Sequence, residues 1–549
     1  MWPLQSDLTD GSGAVFLSSR KVTSEMSFAI KIKGPAQRLF PRCRLLPLVF
    51  FLGIVFAEPA TATNPVLWGG LEPGSYKVGF TVLRLKDPSR SFGSSSSRPI
   101  QVSLWYPVPQ KTSTAKPGMP FSDYVALYMT PVSSDRVLTS KDRTAVFDRY
   151  RKEWFPKEKQ LDVARLLHTP TFCLPDAPPA EGHFPLVIYA PGYGATPLTH
   201  TSTAEYLASH GYVVAMSPSQ GESALGMTFD TAGQEQQIRD IEFTLGALRN
   251  RPAIDSSRIA LVGFSMGGGA VVIAGMRIPH VVAVISLDGT VAFDHTVDFL
   301  RQASGYSPAR FRSPLLVLKA EDDSDEDLSI VESLVASDRE LIRLKDVGHH
   351  DFIASPVISS IATGQITPSG KRAYPFVTRI VLQFLDEHTS ASNNPLHLHA
   401  KEVKESSAEP GEPTSDILLP KLDMPDPQQL IYEAMESGDI DPLLNAQRDL
   451  SRQVNGIPLL TAGELNMIGL KFLDQERNDK TIRIYELFVE LYPRNFFGFN
   501  VLGDLYRERS DTEKAKECYR RSLAIRPGNG GAIVGLKAFE KQNLGNPSQ

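Results

Sequence analysis

The stretch RIALVGFSMGGGA, residues 258–270, constrains this chain more than any other. A short β-branched run ends at Gly263, a serine follows two residues later, and Gly267 to Gly269 open a segment of helical character, GGAVVIAGM. G-x-S-x-G between a strand and a helix is a turn so tight that the serine takes strained backbone angles and its neighbours have no room for side chains. Ser265 is therefore expected at the crest of the turn as a nucleophile. The chain around it must alternate strands with helices.

Residues 63–390 supply that alternation, which predicts an α/β fold with a mainly parallel sheet. VSLWYP (102–107), PLVIYA (185–190), YVVAMS (212–217), RIALVG (258–263), VVAVISL (281–287), PLLVLKA (314–320) and Leu341 to Lys345 read as strands. A charged, aromatic and helical insertion at 121–172 interrupts the rhythm. It is either a surface elaboration or a cover for a pocket. Residues 391–426 shift to Pro, Glu, Ser and Asn and read as a linker unable to bury a core.

Beyond residue 427 the period changes. Gly469 and Gly503, Tyr485 and Tyr519, Pro493 and Pro527, Ile468 and Leu502, Phe472 and Tyr506, and Leu491 and Ile525 each stand 34 residues apart. That is the tetratricopeptide (TPR) period, and NVLGDLYRERSDTEKAKECYRRSLAIRP resembles that family at Leu502-Gly503, Tyr506, Ala515, Tyr519 and Pro527. Thr481 stands where the family usually has alanine. Residues 427–549 are thus expected to be an all-α TPR-like domain, its helices packing only on one another or on the α/β domain, or forming a groove for a protein partner.

A serine hydroxyl needs a base, an acid to orient the base, and donors for an oxyanion. Where G-x-S-x-G presents the nucleophile in this way, the expected chain order is Ser, acid, His. The loop after the last strand carries GHHDF, and of its two histidines His349 is the expected base, His350 an ordinary loop residue. Two carboxylates stand at strand ends, Asp288 in VISLDGT and Asp323 in LVLKAEDDSDED, and both positions suit the acid. The oxyanion donors should be the amides of Met266, after the nucleophile, and Tyr193, in the bare loop Pro191-Gly192-Tyr193-Gly194. The acidic run 321–327 lacks the glycine and glutamate of a calcium loop. Neither a metal nor an organic cofactor is implied.

The amino terminus sets the compartment. Basic residues from Lys31 to Arg44 precede LLPLVFFLGIVFA (45–57), short for a membrane span and right for a signal-peptide core, with cleavage expected after Ala57 or Ala62. Residues 1–25 are unusual in front of such a core, and Met26 is an alternative start. Export to the periplasm or the extracellular space follows, with no stable membrane span after cleavage. Cys43, Cys173 and Cys518 are too few and too scattered for a disulfide framework or a metal cluster. A net charge of −5, more acidic once residues 1–62 are removed, gives no support for nucleic-acid binding.

SLWYP, APGYGA, YLASHGYVVA, GFSMGGGA, ISLDGT and GHHDF together make the region from about 70 to 390 resemble the α/β-hydrolase superfamily. Within it, the resemblance is to platelet-activating-factor acetylhydrolases, dienelactone hydrolases and cutinase-like polyester hydrolases. The polyester-hydrolase likeness implies Asp323 as the acid; the acetylhydrolase likeness, through LDGT and the H-x-x-F at His349, implies Asp288. Asp288 is adopted, with Asp323 as the alternative. Pro191 replaces the histidine usual in the acetylhydrolase pattern. The whole implies an exported serine esterase acting on a small-molecule, lipid or polymer ester through an acyl-enzyme. Its rivals are a serine peptidase or amidase, and a TPR adaptor on an inert hydrolase scaffold.

Overall fold

The computed structural model describes residues 65–112, 118–133, 137–156, 162–223, 226–321, 325–389, 413–454 and 457–544. The leader expected within 1–62 lies outside them. Two long strands, β1 (Lys77–Asp87) and β2 (Arg98–Val108), pair antiparallel over their full length. The inserted stretch forms α1 (Phe121–Tyr128), α2 (Ser140–Trp154) and α3 (Val163–His168), and β3 (Cys173–Pro175) then joins β1. Alternation follows: β4 (Phe184–Ala190), α4 (Thr201–Ser209), β5 (Val213–Met216), α5 (Thr231–Leu248), β6 (Ile254–Phe264) and α6 (Met266–Arg277). It continues through β7 (Val281–Leu287), α7 (Asp294–Arg301), β8 (Leu315–Ala320), α8 (Ser329–Ser333), β9 (Arg339–Leu344), α9 (Ser355–Thr363) and α10 (Pro368–Thr389). A last strand, β10 (Pro413–Leu419), completes a ten-stranded sheet in the order β10-β9-β8-β7-β6-β4-β5-β2-β1-β3.

The six strands from β9 to β5 are parallel. Helices cover both their faces, which is why they read mostly as apolar runs rather than as alternating ones, β9 (RELIRL) excepted. Along β4, Val187 and Tyr189 enter one core while Leu186 and Ile188 enter the other. This mixed, mostly parallel sheet between helical layers is an α/β-hydrolase architecture.

The inserted helices are tied to α4 through a buried carboxyl. Glu205 accepts from Trp68 Nε1 (2.9 Å), Tyr124 Oη (2.8 Å) and the Phe172 amide (3.1 Å), while burial holds its pKa above the ordinary glutamate value.

The segment expected to be a linker is partly structured. Residues 390–412 lie outside the described ones, but β10 pairs antiparallel with β9, and the Leu422 amide donates to the Val335 carbonyl at 2.7 Å. An open β9 edge offers a row of unpaired backbone groups, and the Ile417-Leu418-Leu419 backbone satisfies them.

Seven helices follow: α11 (Pro427–Ser437), α12 (Asp441–Gln453), α13 (Ala462–Asp474), α14 (Asn478–Leu491), α15 (Phe496–Glu508), α16 (Thr512–Ile525) and α17 (Gly530–Leu544). Their packing repeats as the spacing predicts. Gly469 on α13 lies against the Tyr485 ring of α14, and Gly503 on α15 against the Tyr519 ring of α16, so close that a Cβ at either would strike the ring. Thr481 is fully buried, and its hydroxyl donates to the Arg477 carbonyl at 3.2 Å, so the residue fits without an orphaned polar group. The array shares a core with the α/β domain at Ala309 and Val335, and Arg310 pairs with Glu464 at 3.2 Å. Among the described residues no helix is long and apolar enough to cross a membrane.

Candidate active site

Ser265 connects β6 to α6 with φ 56° and ψ −123°, a conformation that costs a side-chain-bearing residue roughly 1–3 kcal/mol. The surroundings hold it there. Its amide donates to the Leu287 carbonyl at the end of β7 (3.0 Å), and its own carbonyl accepts from Gly268 (2.9 Å) and Thr290 (3.0 Å). A Cβ at Gly263 would run into the Gly267 carbonyl, and one at Gly267 into the carbonyls of Ala190 and Pro191. These two glycines let β6, α6 and the loop after β4 approach within backbone contact.

Asp288 follows Leu287 directly, so the same pairing that fixes Ser265 fixes the carboxylate. Its backbone is also left-handed (φ 42°), its amide donates to the Leu318 carbonyl at 2.7 Å, and its side chain is 3% exposed. Oδ1 accepts from the Ala320 amide at 3.1 Å, and Oδ2 lies 2.5 Å from His349 Nδ1. The pairing leaves His349 Nε2 as the ring nitrogen available to a substrate or nucleophile. The alternative acid, Asp323, lies outside the described residues.

His349 is presented by a short helical turn, His349–Phe352. Asp351 closes the turn by accepting from the Gly348 amide at 2.9 Å, Phe352 anchors it in the core, and the imidazole lies against the ring of Phe264 at 4.6 Å between centroids. The GHHDF sequence thus encodes its own presentation. His350 is exposed, edge-on to His349 at 5.6 Å. Ser265 and His349 share no hydrogen bond among the described residues; such bonds are often long before substrate binds and tighten with it.

The loop after β4 passes over Ser265 so closely that a Cβ at Gly192 would sit 3.2 Å from that of the serine. The amides of Tyr193 and Met266 donate to no acceptor among the described residues, Met266 because it opens a helix. Two unspent donors therefore flank Ser265. The Tyr193 side chain, 47% exposed, turns to the rim, where Oη donates to the Met227 carbonyl at 2.7 Å and the ring meets Phe229 edge-on. On the other side of His349 opens a cleft of about 350 Å³ lined by Asp288, Phe293, His295, Ala320, Asp325, Val347 and His349. None of the described residues of the 121–172 insertion lines it.

Sequence reasoning missed His200, buried at the start of α4 with its ring 5.6 Å from Phe264. Nδ1 lies 3.1 Å from Tyr189 Oη, Nε2 has no partner among the described residues, and burial pushes the pKa down to about 3, His350 adding to the effect. It also missed Gln234 and Gln237 on α5, because nothing in the spacing of a helix tells which loops its inner face will meet. Among the described residues no group of three His, Cys, Asp or Glu side chains is placed to hold a metal ion.

A serine raised at the β6–α6 turn of an α/β-hydrolase sheet defines a serine hydrolase. Residues 199–323, which carry the Ser265 turn, match the model of the prolyl oligopeptidase family (Peptidase_S9). No curated protein matches the chain. Among solved structures it is similar to a ferulic acid esterase from Streptomyces cinnamoneus, with 23% identity and a TM-score of 0.43, over 62% of this chain and 96% of that one.

Proposed function

We propose that this chain is an exported esterase that cleaves carboxylic esters through a covalent acyl-enzyme. Ser265 Oγ attacks the ester carbonyl carbon while His349 Nε2 takes its proton, and Asp288 holds the imidazole in the tautomer that can accept it. The oxyanion forms against the amides of Tyr193 and Met266. Collapse of the tetrahedral adduct returns the proton from His349 to the leaving alkoxide and leaves Ser265 acylated. A water, deprotonated by His349, then attacks the acyl carbon; the acyl carbon–Oγ bond breaks as His349 returns the proton to Ser265 Oγ, and the acid is released.

The observation that supports this most is the conjunction, around one strained serine, of a 2.5 Å acid–imidazole pair and two amides without acceptors. A peptidase or amidase reading rests on the prolyl oligopeptidase match over 199–323. The helical array, which we read as TPR repeats, offers exposed Tyr432, Met467, Leu470 and Phe497 on the first helices of successive pairs, a surface suited to a protein partner.

Incubation with a short-chain chromogenic ester, a chromogenic peptide amide and a fluorophosphonate probe tests the proposal. Wild type should label and turn over the ester far faster than the amide. Ser265→Ala should abolish labelling and lower turnover by at least about 10³-fold. A wild type that neither labels nor turns over leaves the inert-scaffold reading, and preferential amide cleavage selects the peptidase.

A further inference from the structure

Gln234 and Gln237 lie three residues apart on α5, so both side chains leave the same face of the helix, toward β4 and α6. Both are buried, at 0% and 4% exposure. Gln234 Nε2 donates to the Met266 carbonyl at 3.1 Å, and Gln237 Nε2 donates to the Pro191 carbonyl at 2.6 Å. These acceptors belong to the two separate segments that carry the unspent amides beside Ser265: Met266 itself, and the loop in which Tyr193 follows Pro191 and Gly192. Only the NH₂ end of a carboxamide can face a carbonyl oxygen, so the orientation of both side chains is set by their partners.

The arrangement is a poor solution to filling a core. Each glutamine leaves its Oε1 buried with no partner among the described residues, an uncompensated loss of hydration that leucine or methionine of the same volume would not carry. Among the described residues each carboxamide makes a single hydrogen bond, and both bonds end on the backbone around Ser265.

We infer that Gln234 and Gln237 are positioning residues for the oxyanion site: one rigid helix clamps both donor segments and fixes the separation of the Tyr193 and Met266 amides. This rests on the proposed serine-hydrolase reading. Neither glutamine touches substrate. Their loss weakens the stabilisation of the tetrahedral oxyanion and leaves ground-state binding alone, because the amides engage fully only when negative charge has developed.

The test uses the full chain and the variants Gln234→Met, Gln237→Met and Gln237→Glu. The methionine variants should lower kcat for a short-chain ester at least 10-fold with KM changed less than twofold. Fluorophosphonate labelling of Ser265 should slow in parallel, and the melting temperature should stay within a few degrees of wild type. Gln237→Glu provides a rescue: a protonated carboxyl can donate to the Pro191 carbonyl and a carboxylate cannot, so its kcat relative to wild type at the same pH should rise as pH falls. Methionine variants with kcat within twofold of wild type overturn the inference, as does a loss of kcat matched by a rise in KM. If a methionine variant does not fold, a pH-independent Gln237→Glu ratio overturns it instead. An inactive, unlabelled wild type is a different result, since it removes the serine-hydrolase reading itself.

Discussion

For single residues, the end of β7 determines which side chain is brought to His349. Leu287 receives the Ser265 amide and its neighbour Asp288 pairs with His349, so the Ser265 backbone and the Asp288 carboxylate are set by adjacent residues of one strand end. Asp288→Asn keeps the volume and loses the charge and the tautomer control. It should lower kcat roughly 10³–10⁴-fold with little change in KM, measured by ester turnover. His200 sets a different prediction. It is neutral in the fold down to about pH 3 but protonates near pH 6.5 once the chain unfolds. Below pH 6.5 the unfolded state therefore binds a proton that the folded state refuses, and stability falls as pH falls from there toward 3. Thermal melts at pH 7 and pH 4 should show a smaller loss of melting temperature for His200→Phe than for wild type.

At the scale of elements, the turn between β6 and α6 has no room to relax. A methyl group at Gly267 would press on the carbonyls of Ala190 and Pro191, pushing away the loop that presents Tyr193. Gly267→Ala should destabilise the chain by about 1–3 kcal/mol and slow fluorophosphonate labelling more than the melting temperature alone would suggest. This element was open to sequence reasoning because its glycine pattern is local: strand, serine and helix are contiguous, and the steric demand acts between residues four apart. The GHHDF turn was half readable. Its histidines stood out, but that Asp351 caps the turn and Phe352 anchors it depends on the core beneath. The strands β1, β3 and β10 escaped notice, since two of them are edge pieces whose pairing partners lie far away in the chain, and β10 sits in a stretch whose composition suggests no core at all.

At the scale of the whole molecule, the α/β domain and the helical array are not separable at residue 390. β10 covers the β9 edge, Arg339 donates to the carbonyls of Leu419 and Pro420, and Arg312 reaches Met424 and Pro425. A chain ending at residue 390 should melt lower than one ending at 426 and aggregate through its uncovered β9 edge, as calorimetry and light scattering would detect. A chain ending at 426 should in turn melt below the full-length protein, because Ala309 and Val335 lose their apolar cover.

Contiguous residues alone dictate the parallel strand alternation, the glycine-flanked Ser265 turn, the histidine behind the last parallel strand, and a helical repeat whose 34-residue spacing is reproduced in the Gly469–Tyr485 and Gly503–Tyr519 contacts. What emerges only in three dimensions is the pairing of Asp288 with His349, the closing of the β9 edge by β10, and the buried side chains that hold the backbone around Ser265. The reason is geometric. Local patterns fix backbone conformation over a few residues, whereas Asp288 and His349, 61 positions apart, or Gln237 and Pro191, 46 apart, meet only once the whole sheet has set its strand order.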